Sequence, residues 1–138
     1  MRTAVLDTNI VLDLFVFDDQ AARVLKRRLE AGEFQWLATQ AMRDELERVL
    51  AYPKIAPRVA YYKLDTAQVL ASFDRHTCTV EPAPKAGVTC KDADDQKFID
   101  LAVAHRSILL SKDAAVLTMR KRLAALGVQA APQLETTQ

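Results

Sequence analysis

Apolar positions along this chain fall into two alternating patterns. The first is the short unbroken run: Ala4-Val5-Leu6, Trp36-Leu37-Ala38 and Ile108-Leu109-Leu110 carry no polar residue between them. Runs of this length without alternation read as strands buried on both faces, which belong in the middle of a parallel sheet. The second pattern has helical period. Ala21, Val24, Leu25 and Leu29 recur at i, i+3, i+4 spacing, and Met42, Leu46, Val49 and Leu50 make another such stripe. Strands are predicted at residues 3–6, 34–38, 77–80, 107–110 and 128–130. Helices are predicted over residues 10–16, 18–31, 40–51, 58–73, from 91–95 to about 105, and 114–126. Gly32 and Gly127 stop two of the helices, Thr39 suits an N-cap, and Pro53 and Pro57 break the chain between two others. Strands alternating with helices give an α/β domain, a parallel sheet sandwiched by helices. Residues 1–130 form that one domain, and residues 131–138 are a loosely held tail.

In an open sheet of this kind the carboxyl ends of all strands share one edge, where such folds place their ligands. Asp7 follows the first strand directly, with Thr8 and Asn9 as cap-type residues before a helix starting at residue 10 or 11. Asp7 is thus either a helix cap or a site residue. Asp113 repeats the arrangement after Leu109-Leu110-Ser111-Lys112. Glu45 lies about 60° from Met42 at about 100° per residue, on the core side of its helix, whereas Asp44 and Glu47 turn away. A boundary glutamate that merely snorkels is the plain alternative. A loop over residues 81–90, rich in Pro and Gly, delivers Lys91-Asp92-Ala93-Asp94-Asp95. One of these aspartates is explained by the helix dipole; three exceed what capping requires.

Asp7, Glu45, Asp92, Asp95 and Asp113 can therefore converge on one rim. Carboxylates so crowded stay ionised only with cations among them, and oxygen-only ligation suits Mg²⁺ or Mn²⁺. Such sites typically serve phosphate chemistry.

Composition narrows the setting. With 19 basic and 18 acidic residues among 138, the net charge is +1, so any polyanion must be held by a local patch. No apolar run approaches the roughly 20 residues of a membrane helix, and the first residues lack a signal-peptide layout. Cys78 and Cys90 have no metal-type spacing, and His76 and His105 are the only histidines, which argues against zinc. Free thiols and a cytoplasmic protein with no membrane partner are expected.

The ordered set Leu6-Asp7-Thr8-Asn9, Glu45-Leu46-x-x-Val49-Leu50, Asp92-x-x-Asp95-x-x-Phe98-x-x-Leu101-Ala102 and Leu110-Ser111-Lys112-Asp113 resembles the PIN-domain ribonucleases. The likeness runs from Thr3 to about Val128 and looks most like the branch of toxin components. It implies a five-stranded parallel sheet flanked by helices. Asp7, Glu45, Asp95 and Asp113 match the family's metal-binding carboxylates, Asp92 an extra acid of some members, and Asn9 and Ser111 its supporting polar residues. Lys112 stands where many members have glycine, which puts the local turn in question. The implied activity is Mg²⁺- or Mn²⁺-dependent endonucleolytic cleavage of single-stranded RNA, with an antitoxin as possible partner. Arg43, Lys91, Lys97 and Lys112 are the cations nearest the rim in sequence and the expected phosphate contacts, whereas Arg120-Lys121-Arg122 reads as solvated surface. A homodimer is implied too; Tyr52, Tyr61 and Tyr62 either form its contact or cover this domain's own core.

Two other classes share part of this pattern. A haloacid-dehalogenase-type phosphohydrolase also opens on a strand and an Asp, but needs a second Asp two residues on, where this chain has Asn9. A catalytically silent module of the same fold, binding RNA or protein, usually lacks one of the acids, and all are present here.

Overall fold

The computed structural model describes residues 2–134. Five parallel strands form one sheet in the order β3-β2-β1-β4-β5: β1 (Arg2–Leu6), β2 (Phe34–Ala38), β3 (Thr77–Thr79), β4 (Ile108–Leu110) and β5 (Gln129–Ala131). The first strand is the middle one. Ala4 pairs with Trp36 on one side and with Ile108 on the other. Ala4, Val5 and Leu6 are almost fully buried, as an unbroken apolar run between two neighbours requires. The sheet grows to one side through β2 and β3, and to the other through β4 and β5. Strand order therefore reverses between β1 and β4, and the crevice of the fold opens at their carboxyl ends.

The helices follow: α1 (Thr8–Phe15), α2 (Gln20–Glu30), α3 (Gln40–Leu50), α4 (Ala56–Tyr61), α5 (Thr66–His76), α6 (Gln96–His105), α7 (Ala114–Leu117) and α8 (Arg120–Ala125). Helix α6 packs on β1 and β4, α7 and α8 pack on β5, and α2 packs on β2 and α1. Helices α3 and α5 lie against each other beside α1. The ring of Trp36, almost fully buried, stacks with Phe15 at 6.0 Å and meets Phe73 edge-on at 5.2 Å, which locks β2 to α1 and α5.

The helices depart from the sequence expectation mainly at three places. Helix α1 begins at Thr8, two residues early, because Asp7 rather than Thr8 or Asn9 is the N-cap. The segment expected as one helix over residues 58–73 is two. Pro57 sits in the first turn of α4, where a missing N–H costs nothing, and so starts that helix. Lys63 then turns into the left-handed region at φ +58°, and Asp65 opens α5 with a reciprocal capping box to Gln68. The third is the helix over residues 114–126, which splits into α7 and α8. At the split the Thr118 hydroxyl donates to Ala115 O and the Met119 N–H takes Val116 O, one residue short of the α pattern. Strand β5 also runs one residue later than expected, to Ala131. From residue 135 onward the expected tail lies outside the described residues. None of the described helices is long and apolar enough to cross a membrane.

Candidate functional site

Asp7 leaves β1 with its backbone still in the sheet, its N–H donating to Leu110 O at 2.9 Å. Its two carboxylate oxygens then part company. Oδ1 accepts the Thr8 N–H at 2.7 Å and caps α1, while Oδ2 accepts the Ser111 hydroxyl at 2.6 Å. Ser111 is wholly buried, and its Oγ also accepts the Asp113 N–H at 3.0 Å. One serine thus ties the exit of β1 to the exit of β4. Asp113 in turn caps α7 through Oδ1, accepting from Ala115 N at 2.9 Å. Lys112 between them keeps a negative φ, so the turn does not need the glycine common in its place.

Asp95 reaches the same place from the opposite direction. Asp92 starts a single 3-10 turn, Ala93–Asp95, by accepting the Asp94 N–H at 3.0 Å, and that turn feeds α6. Asp95 is 6% exposed and points inward; Asp92 is exposed. One oxygen from each of Asp7, Asp95 and Asp113 lies within 4.8 Å of the others. Asp95 Oδ2 is buried there with no hydrogen-bond partner.

The electrostatics follow from that crowding. Burial, then a hydrogen bond with Asp113, then the charges of Asp7, Asp113 and Asp92 push Asp95 up from 3.8 to about 8. Two carboxyl groups can bond only by sharing a proton, so this bond favours the protonated form. Asp7 is raised as well, by burial first; the bonds from Ser111 and Thr8 work against it, and Glu45 and Asp113 add to it. Without a cation the site therefore favours a proton on Asp95, and one buried oxygen stays orphaned. Hard oxygen donors with no nitrogen or sulfur among them fit Mg²⁺ or Mn²⁺.

Glu45 stands at the margin of this cluster. One of its oxygens accepts the Thr8 hydroxyl, and the other pairs with Lys97 Nζ at 2.5 Å. Lys97 also donates to Asp94 O at 2.6 Å. The metal-sized cluster of described residues includes neither Glu45 nor Asp92. Asn9, at the start of α1, keeps a buried Oδ1 without a partner. Asp44 and Glu47 are exposed.

Two further residues belong to this neighbourhood without being among the expected site residues. Thr8 is a cap-type residue by sequence, yet its hydroxyl donates to Glu45 and positions it. Asp13, buried on α1, pairs with Lys112 Nζ at 2.5 Å and so fastens the β4 exit loop to α1. It is the only charge in the apolar stretch from Ile10 to Val16, which is the signal that could have found it.

A family model of the PIN domain matches residues 3–115, four-fifths of the chain. The chain belongs to the PIN-domain family. The match runs from β1 into α7 and so spans Asp7, Glu45, Asp92, Asp95 and Asp113. The PIN domain is a nuclease fold whose members bind RNA and are often metal-dependent. No curated protein matches the chain.

Of the cations expected beside the PIN acidic rim, three are engaged elsewhere. Arg43 forms a two-bonded pair with Asp74 of α5, at 2.8 and 3.0 Å, Lys97 is held by Glu45, and Lys112 by Asp13. Lys91 is exposed. Tyr52, Tyr61 and Tyr62 do not cover the core, as one reading had them; all three are exposed, Tyr61 to 77%.

Proposed function

We propose that this PIN domain is a divalent-metal-dependent endoribonuclease that hydrolyses phosphodiester bonds in single-stranded RNA, acting as the toxin of a toxin–antitoxin pair. The observation that carries the reading is the meeting of Asp7, Asp95 and Asp113 around a buried, unbonded Asp95 oxygen.

Asp7, Asp95 and Asp113 would hold the ion, with Glu45 and Asp92 beside them. An Mg²⁺ or Mn²⁺ ion bound there supplies acidity to a coordinated water and charge to balance a reacting phosphate. The chain's own residues prepare for it. Ser111 and the Thr8 N–H fix the orientation of Asp7, and the α7 backbone fixes Asp113. Asp95 holds a proton that it would give up on ligating a divalent cation. Thr8 and Lys97 hold Glu45 at the edge of the cleft, where a carboxylate can accept a proton from a water.

The test is cleavage of a labelled single-stranded RNA with Mg²⁺, Mn²⁺ or EDTA. Asp7→Asn and Asp113→Asn should each cost at least about a hundredfold in rate, roughly 2.7 kcal/mol of barrier. Asp44→Asn and Glu47→Gln, whose side chains face away, should stay within about twofold. A wild-type protein that binds RNA and cuts none with either ion would instead be the silent binding module.

A further inference from the structure

The acidic rim repels phosphates, and of the four cations nearest to it in sequence only Lys91 is not paired with a carboxylate, so the RNA needs a further handhold elsewhere. The described residues offer one concentrated in a single segment. From Arg48 to Leu64 the chain carries four basic residues, Arg48, Lys54, Arg58 and Lys63, and no acidic one, in a protein of net charge +1. All four are exposed, and none is ion-paired among the described residues. The same segment holds three of the four exposed large hydrophobic residues described, the exception being Leu126.

The aromatic part has a defined shape. Tyr61 and Tyr62, the last residue of α4 and its C-cap, meet edge-to-face with centroids 5.1 Å apart. An edge-to-face pair leaves ring faces free. Arg58 lies over the Phe17 ring at 4.9 Å, which joins α4 to the turn that follows α1, the helix that Asp7 caps. Lys63, at positive φ, follows the pair directly.

We infer that the α4 segment is a single-stranded RNA platform, with Tyr61 and Tyr62 stacking on bases and Lys54, Arg58 and Lys63 contacting phosphates. Interleaved aromatic and basic side chains bind single strands without regard to sequence, since every base has a π-face. A protein partner would use the tyrosines equally well but gives no reason for four unpaired cations without one acid among them. The inference rests on the RNA reading above and names the surface that recognises the substrate.

The full chain is titrated into a fluorescently labelled single-stranded RNA of about 15 nucleotides in EDTA, where no cleavage occurs, and anisotropy is read. Tyr61→Ala/Tyr62→Ala should weaken binding about tenfold, as loss of base stacking predicts, and Tyr61→Phe/Tyr62→Phe should restore it to within about twofold. Lys54→Gln/Lys63→Gln should lower the slope of log K against log salt by about 1.4, at about 0.7 per phosphate contact. All substituted side chains are on the surface, and thermal melts of each variant verify folding. Unchanged RNA affinity in the alanine pair overturns the platform. If that pair instead turns a dimer into a monomer in sedimentation while RNA affinity holds, the surface is a contact between copies and the inference is equally overturned. Because binding is read without metal, absence of cleavage by the wild type would count against the nuclease reading and not against this one.

Discussion

Asp95→Asn should stabilise the metal-free protein and abolish its response to metal. In the folded chain this carboxyl is pushed to about 8, by burial first and by its acidic neighbours after it. In the unfolded chain it returns to about 3.8. The folded form thus binds more protons throughout the interval, and stability falls as pH rises from about 4 to about 8, levelling off above. At pH 7 the gap is about three pH units, and at about 1.4 kcal/mol each the cost is bounded at about 4 kcal/mol. Asp113 is only half-buried, so solvent reaches the rim and screens part of this. A gain of about 1–2 kcal/mol is expected, or about 3–7 °C in Tm for a chain of this size. The asparagine amide keeps a donor for Asp113, so little hydrogen bonding is lost.

The assay is thermal unfolding in chelator at pH 5, 6, 7 and 8. The variant's advantage should grow with pH, since only the wild type carries the titrating group. Adding Mn²⁺ at about a hundred times its Kd should then raise wild-type stability by about 2.7 kcal/mol and leave the variant nearly unmoved, inverting their order. An Asp95→Asn protein less stable than wild type at pH 8 in chelator, or an advantage that does not change with pH, would refute the account of a proton-holding site.

Three further outcomes follow from the packing. Lys112→Ala should destabilise more than Asp13→Ala, about 2–3 against about 1 kcal/mol in urea unfolding, because Asp13 is left buried without a partner whereas Lys112 regains water. Trp36→Ala should cost about 3–5 kcal/mol, since it empties the contact among β2, α1 and α5. Lys63→Gly should raise stability by about 0.5–1 kcal/mol, glycine adopting φ +58° without the strain a side chain brings; a loss of stability in chemical denaturation would show that the lysine stem packs usefully.

How much of this was legible in the sequence depended on whether the determining contact was local. Strand β2 and its following cap came out to the residue, because an apolar run ending on Thr39 leaves little choice of register. The two split helices did not, because apolar residues go on recurring at helical spacing across breaks of only four and two residues. Nothing in the stripe reports that Lys63 turns left-handed or that the Thr118 hydroxyl competes for a carbonyl. The same division holds at the site. That Asp7 and Asp113 lie side by side follows from strand ends sharing an edge, and the inward place of Asp95 follows from its lying one helical turn before Ile99 and Ala102, both buried. That Glu45 is held by Lys97 and Asp13 by Lys112 joins residues 52 and 99 positions apart, which no local pattern encodes.

The choice posed by the first strand, whether Asp7 caps a helix or builds a site, turns out not to be a choice. A carboxylate has about four lone-pair positions, and capping α1 and accepting from Ser111 use two of them. Asp113 is likewise a cap with an oxygen to spare. Capping in fact serves the site: each helix start fixes one oxygen by a backbone N–H, which sets the direction of the other without relying on a flexible side-chain partner. The positive end of each helix also favours a nearby anion, yet Asp7 and Asp95 remain raised, so burial and mutual repulsion outweigh the dipoles. That residual imbalance is what a divalent cation would relieve. It predicts that converting a cap to a neutral one, Asp113→Ser, should keep α7 folded while weakening Mn²⁺ binding by at least about tenfold in titration calorimetry; a variant that binds Mn²⁺ as tightly as wild type would mean that Asp113 is a cap and nothing more.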